Sequence, residues 1–299
     1  MRGRATLKRL AELGLDASGA SSLLRRRMAG RDLVLAYHNV VHDDQVAAGA
    51  SGHLGLANFV AQMHMLAKHA DVVPVTSLAG PPAPTGRPRV AITFDDGYRG
   101  AIRLAMPVLA SLGLPATIFV CPGLVGGEAF WWDSPDLDAW TRKEQVLDAL
   151  QGRELRVREF MRWHGLRGSD RVGDFLPARE QELLEASERP GISIGAHTVT
   201  HPNLSMLPEE EVRSELAECR DRLAGSYRSA VRWIAYPFGL ANPMVERVAA
   251  EEGYDGAFVL DGGWIPGDGR RITALPRLNI AAGLSIRGFR LRLAGLFAR

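Results

Sequence analysis

The sequence predicts an α/β fold in which parallel strands alternate with amphipathic helices. Three observations carry that expectation. Short, continuous apolar runs recur along the chain, the pattern of strands buried on both faces. Helix-period segments with recognisable starts and stops follow several of them. No internal repeat is found, and no apolar run approaches the roughly 18 residues a membrane-spanning helix needs.

The strand candidates are 33–37, 90–94, 116–120, 192–196, 231–235 and 256–259, rich in Val, Ile, Ala and Phe. Residues 99–112 read as a helix stopped by Gly113 and Pro115. Residues 208–223 read as another, with Glu209 and Glu210 in the first turn, where the helix dipole favours negative charge. Pro81-Pro82-Ala83-Pro84 is a surface loop before the strand at 90–94. Residues 121–190 exceed an ordinary strand-to-strand connection and are expected to form a helical insertion. Phe130-Trp131-Trp132-Asp133 lies near its start. Such a cluster is either core or, because sugars present apolar C–H faces to indole rings, a substrate platform. Arg153, Arg156, Arg158, Arg162, Arg167 and Arg171 read as a solvated helical face, with a lid that meets an anionic lipid carrier as the bolder alternative.

Composition narrows the function classes. At 299 residues and 46% hydrophobic content, the chain can bury a full core as one domain. A formal net charge of +2 argues against nucleic acid as the main partner. Two cysteines, Cys121 and Cys219, cannot build a disulfide framework and read as buried free thiols in a reducing compartment. Residues 1–30 mix basic residues, including Arg25-Arg26-Arg27, with short apolar stretches that lack a secretory h-region. A cytoplasmic protein is expected.

Two phrases carry the chemistry. Thr93-Phe94-Asp95-Asp96-Gly97-Tyr98 places adjacent carboxylates at the end of a buried strand, and His197-Thr198-Val199-Thr200-His201 places two imidazoles four residues apart after another. Alone, Asp-Asp-Gly is usually a turn and His-x-x-x-His a surface pair. Together they change the reading. In a parallel sheet both phrases sit at the same rim, where barrel active sites are built. One carboxylate and two histidines make a three-ligand metal site with positions left for water and substrate, while the other carboxylate is free to act as a base. That combination points to a metal-dependent hydrolase.

These phrases, with Ala235-Tyr236-Pro237-Phe238-Gly239, match three motifs in order, Thr-Phe-Asp-Asp-Gly, His-Ser/Thr-x-x-His and Pro-Tyr/Phe-Gly. Over residues 31–280 the chain resembles the polysaccharide deacetylase family, carbohydrate esterase family 4. The resemblance implies a distorted (β/α) barrel of about seven parallel strands with a helical insertion. In that reading, residues 31–283 are the catalytic barrel, 1–30 a basic helical segment and 284–299 a basic amphipathic helix. It assigns Asp96, His197 and His201 to a metal, usually zinc, with cobalt as another divalent choice. Asp95 is then the general base, the backbone N–H of Phe238 faces the oxyanion, and Tyr236 and Trp132 join the substrate site.

Two departures qualify the resemblance. The Arg that opens the family's third motif is replaced by Ala235, and its neighbour Ile234 cannot serve instead. The late stretch Leu275-Pro276-Arg277-Leu278-Asn279-Ile280 lacks the family's acid His, and no His follows His201. Upstream, Tyr37-His38-Asn39-Val40 resembles the circularly permuted branch, whose Tyr-His-x-Val segment supplies the acid, so His38 takes that role. His42, beside Asp43 and Asp44, is the local competitor.

The expected reaction is removal of an N-acetyl group from an amino sugar in a saccharide or glycoconjugate precursor, lipid-linked or soluble. The alternatives are hydrolysis of an N-formyl sugar or other small amide, and a barrel that binds carbohydrate without catalysis. At the C-terminus, Ile286, Phe289, Leu293, Leu296 and Phe297 fall on one helical face flanked by Arg287, Arg290, Arg292 and Arg299. A closing helix packed on the barrel is expected, against the alternative of a peripheral helix docking on anionic lipid at the inner membrane face.

Overall fold

The structure is a computed structural model that describes residues 28–46, 52–80, 86–137, 146–260 and 262–296. The basic stretch through Arg27, the proline loop at 81–84, and Phe297 and Arg299 lie outside the described residues. In chain order the first half comprises β1 (Asp32–Tyr37), β2 (Asn39–Val41), β3 (His53–Gly55), α1 (Leu56–His69), β4 (Asp71–Val72), β5 (Arg89–Phe94), α2 (Met106–Leu112) and β6 (Ala116–Val120). There follow α3 (Glu154–Trp163), α4 (Glu180–Ser187), β7 (Ile192–Ala196), α5 (Glu209–Ser226), β8 (Ala230–Ala235), α6 (Pro243–Glu251), β9 (Gly256–Phe258), β10 (Leu278–Asn279) and α7 (Ile286–Leu293).

Seven strands run β10-β1-β5-β6-β7-β8-β9, every neighbour parallel, and β4 joins the first residues of β5. The sheet curls until one segment serves both edges. Leu275 bonds to β9 through Ala257 and Val259, and three residues later Leu278 pairs with Leu35 of β1. This is the distorted parallel barrel that the sequence leads one to expect.

Alternation along the strands sorts the core into two layers. Val34, Ala91, Phe119, Trp233, Ala235 and Phe258 point inward as one cluster. Leu33, Leu35, Val90 and Ile92 point outward, against Phe59 and Met63 of α1, Leu109 of α2, and Val212 and Leu216 of α5. Because both faces are covered, β1 after Asp32 and β5 after Arg89 read as nearly continuous apolar runs. The aromatic interior needs glycine opposite it. A Cβ at Gly195 would lie 2.4 Å from Phe119, and one at Gly256 would lie 2.4 Å from Trp233.

The helix expected over 99–112 begins at Arg99 as expected but winds as a π-turn over Ala101–Ala105 before α2. Pro107 explains this, since it has no N–H to bond the Arg103 carbonyl one α-turn back. The stop is as expected, with Gly113 in the left-handed conformation at φ 63.

Within 121–190, α4 packs Leu183 and Ala186 on the barrel and is simply the crossover helix into β7. The earlier part, with α3, builds a small core of its own from Trp131, Leu137, Val146, Val157 and Met161. The two tryptophans therefore part company. Trp131 is core, whereas Trp132 reaches the cavity at the barrel mouth.

Helix α7 buries Phe289 and Leu293 in the main core, and the Trp264 indole N–H donates to the Arg292 carbonyl at its end. Its apolar face is thus covered by the barrel. Phe289→Ala is expected to cost about 3–5 kcal/mol, and a protein ending at Gly283 to lose its cooperative thermal transition. A truncated protein that melts like the full chain would show that α7 is not part of the core. Among the described residues, no helix is long and apolar enough to cross a membrane.

Candidate active site

The rim residues inherit their positions from the ladder. Asp95 N–H still donates to the Tyr37 carbonyl, His197 N–H to Val120 and Tyr236 N–H to Phe258. Both motif phrases are therefore clamped at the same C-terminal edge of the barrel. They line one cavity of 480 Å³, together with His38, Tyr98, Trp132 and Phe238.

Asp96, His197 and His201 converge there. Their ligand atoms all lie within 4.8 Å of one another. Asp96 Oδ1 is 3.3 Å from His197 Nε2 and 3.4 Å from His201 Nε2. Tetrahedral bonds of about 2.0–2.2 Å place neighbouring ligand atoms about 3.3–3.6 Å apart, a spacing that both Asp96–histidine pairs match, and one carboxylate with two imidazoles is a donor set suited to a divalent ion of the zinc type. His197 is prepared for that role. Its Nδ1–H donates to the Ala235 carbonyl at 2.6 Å, leaving the Nε2 lone pair to face Asp96.

Two of the three candidate ligands, Asp96 and His201, sit on strained backbone. Among the described residues, five non-glycine residues have positive φ, and four of them belong here: Asp96 at 69, Thr198 at 65, His201 at 60 and Phe238 at 59. Such conformations cost on the order of 1 kcal/mol or more each and persist only where the surroundings impose them. For the histidine loop the imposing residue is Glu215 of α5. Its carboxylate accepts from the backbone N–H groups of Val199 and Thr200, at 2.7 and 3.0 Å, and from the Thr200 hydroxyl at 2.6 Å. The Thr198 hydroxyl accepts from His201 N–H.

Asp95 takes no part in the ligand cluster. Both of its oxygens accept from one guanidinium, Arg277 Nη1 and Nη2, each at 2.7 Å. Arg277 is fully buried, with its guanidinium carbon 5.8 Å from the Phe119 ring centre and 5.5 Å from that of Phe258. This residue fills the role left open by Ala235. It reaches Asp95 from the late stretch 275–280, where sequence reasoning looked only for a histidine. The available signal was a lone Arg inside an otherwise apolar run.

The electrostatics follow from burial opposed by partners. Burial alone raises the Asp95 carboxyl, but the Arg277 charge, with His197, the Arg277 hydrogen bonds and His38, outweighs it and holds Asp95 below its ordinary value. At Asp96 burial is likewise outweighed, by contacts from His197 and His201, and the carboxyl is held far below the usual range. Burial lowers both imidazoles. At His197 the Asp96 contact and the neighbouring carboxylates reverse this into a rise, while at His201 burial prevails.

The remaining expected residues separate. His38 lines the cavity, and its buried Nδ1 has no protein partner. His42 is exposed beside a short helical turn outside it. Phe238 lines the cavity from a left-handed turn, its ring 4.6 Å from His201. Trp132 lines the cavity, its indole stacked on Phe130 at 4.6 Å and packed against the tilted His201 ring at 4.4 Å. Tyr236 does not line the cavity. It is fully buried in the layer beneath the helices, and its hydroxyl donates to the Thr273 carbonyl.

Comparison with known proteins agrees with this geometry. A family model described as polysaccharide deacetylase matches residues 83–257. The putative polysaccharide deacetylase YxkH of Bacillus subtilis is 25% identical over 196 residues, covering 66% of this chain and 53% of that protein. The chain thus spans about half the length of this curated relative. Among solved structures, Streptococcus pyogenes deacetylase PplD in complex with acetate matches with a TM-score of 0.63 at 18% identity, over 88% of this chain and 98% of that one. IcaB from Ammonifex degensii matches at 0.57 and 20% identity, over 84% and 92%. At these identities the structures share the fold.

Proposed function

The chain belongs to the polysaccharide deacetylase family, and on that premise we propose that it is a metal-dependent hydrolase removing the N-acetyl group of an amino sugar in a saccharide or glycoconjugate precursor. One observation carries the reading. A second carboxylate, Asp95, stands beside the three-ligand cluster, ionised and aimed by a buried guanidinium. A protein that only binds carbohydrate has no use for an oriented free base.

Asp96, His197 and His201 would hold the ion, zinc or another divalent metal. When bound, it supplies Lewis acidity, making water more acidic and an acyl carbonyl more electrophilic. Asp95 accepts the proton of the attacking water, and its ion pair with Arg277 fixes the direction from which it does so. Water oxygen adds to the acyl carbon. The backbone N–H of Phe238, at a left-handed turn beside the cavity, is assigned as the donor to the carbonyl oxygen as it gains charge, typically worth about 3 kcal/mol. His38 gives a proton to the departing nitrogen as the C–N bond breaks, leaving a free amine and a carboxylate. The relative solved with acetate holds the acid that such a reaction releases.

A screen of N-acetyl and N-formyl sugar conjugates for free amine tests the substrate assignment. Release from N-acetylglucosamine oligomers supports it, whereas release from N-formyl conjugates alone points to the deformylase reading. In the same assay His38→Ala is expected to keep its metal and turn over about 10²–10⁴-fold more slowly. Full activity in that variant would assign the proton to another donor.

A further inference from the structure

The two histidine ligands are held differently. His197 gives its second ring nitrogen to the Ala235 carbonyl, the usual way a ligand imidazole is fixed. His201 Nδ1 is buried with no hydrogen-bond partner. What surrounds His201 is aromatic, with Trp132 4.4 Å away and tilted 35°, and Phe238 edge-on at 4.6 Å.

Trp132 is itself fixed by a run of buried polar groups that the proposed reaction does not use. An indole N–H can only donate, and Trp132 Nε1 donates to Tyr98 Oη at 2.9 Å. The Tyr98 hydroxyl proton then goes to Asp133 Oδ2, also at 2.9 Å. Asp133 Oδ1 faces His53 Nε2 at 3.0 Å. Beyond His53, Asn39 Nδ2 lies 3.2 Å from His53 Nδ1 and donates to the Asp174 carbonyl at 3.0 Å. An amide nitrogen is a donor only, so His53 Nδ1 must accept and the ring proton sits on Nε2, toward Asp133. Every donor is thereby assigned, and each proton points along one defined path. Stacking of Trp132 on Phe130, at 4.6 Å and 11°, covers the indole face away from His201.

We propose that Trp132 is a positioning residue that fixes the ligand His201 by stacking, where His197 has a hydrogen bond, and that Tyr98, Asp133, His53 and Asn39 hold the indole in that place. The inference rests on the reading of Asp96, His197 and His201 as metal ligands. It assigns a task to the β2–β3 pair, which supplies Asn39 and His53. The strand that follows His38 then also secures the far side of the ligand cluster.

The test is competition of the metal-free protein with a chromophoric chelator for Zn²⁺, which reads affinity without any turnover. Trp132→Ala is expected to weaken zinc binding by about 10-fold or more, the scale on which outer partners of a ligand act. Trp132→Phe should recover part of that loss, because a ring remains to stack on His201. Tyr98→Phe should weaken binding several-fold in the native background and add nothing in the Trp132→Phe background, where no indole N–H remains to be held. That non-additivity distinguishes positioning from general destabilisation. It also keeps the test decisive if Trp132→Ala fails to fold, since Tyr98→Phe preserves ring shape and Trp132→Phe keeps an aromatic ring at the site. Equal zinc affinity in the native, Tyr98→Phe and Trp132→Phe proteins, or additive losses, would overturn the proposal. A native protein that binds no zinc would overturn it together with the ligand assignment, and the two failures are told apart by the native titration alone.

Discussion

Asp96→Asn is expected to lose metal and activity together, while Asp95→Asn keeps its metal and loses about 10²–10⁴-fold in turnover. The two residues are adjacent in sequence but meet different partners. Asp96 Oδ1 faces both imidazoles, and its charge is needed there as a ligand. Asp95 is spoken for by Arg277 and lies outside the ligand cluster. An amide at 95 presents one donor and one acceptor to a guanidinium that only donates, so one of its two bonds is lost. The Asp95→Asn protein should therefore also melt earlier, and metal content must be measured well below its transition. Equal metal loss in both variants would show the pair to be assigned the wrong way round.

Replacing Arg277 has the second largest expected effect. Removing one partner of a buried ion pair typically costs about 3–5 kcal/mol, because the other charge is left uncompensated. Arg277→Met should accordingly lower stability steeply, though its stem can still fill the space between Phe119 and Phe258. The sign of the pH effect follows from the same pair. Burial pushes the Asp95 carboxyl up and Arg277 is the main opposing influence. Without Arg277 the carboxyl rises, and a base that must be ionised is lost at a higher pH as the solution is acidified. The acid limb of the pH–rate profile should move upward in Arg277→Met, with Arg277→Lys between it and the native protein. An unmoved limb would mean that Arg277 supports only the fold, or that Asp95 is not the base.

Much of the barrel was legible because strands covered on both faces are largely apolar, as β1 after Asp32, β5 after Arg89 and β6 are. The elements that escaped are those too short to show a period. β10 has two residues, and β2 and β3 three each. At the site, Asp95, Asp96, His197 and His201, which line one cavity, were legible as compact phrases. Arg277 was not, because its partner lies 182 residues away and the local signal, an Arg within a largely apolar run, does not name that partner. Glu215, on a helix rich in Glu, is hidden for the same reason, as are His53 and Asp133, 80 residues apart. Tyr236 illustrates the opposite error. Its place in a motif suggested contact with substrate, but directly after β8 its side chain takes the outward direction into the layer beneath the helices.

The central claim is that Asp96, His197 and His201 hold an ion on which amide hydrolysis depends. The most direct test follows acetate and free amine from N-acetylglucosamine oligomers in one preparation, first as purified, then after chelation, then after return of zinc or cobalt. Equal amounts of acetate and amine are expected, with loss of both on chelation and recovery of both with about one ion per chain. Deacetylation that persists with the metal fully removed would contradict it.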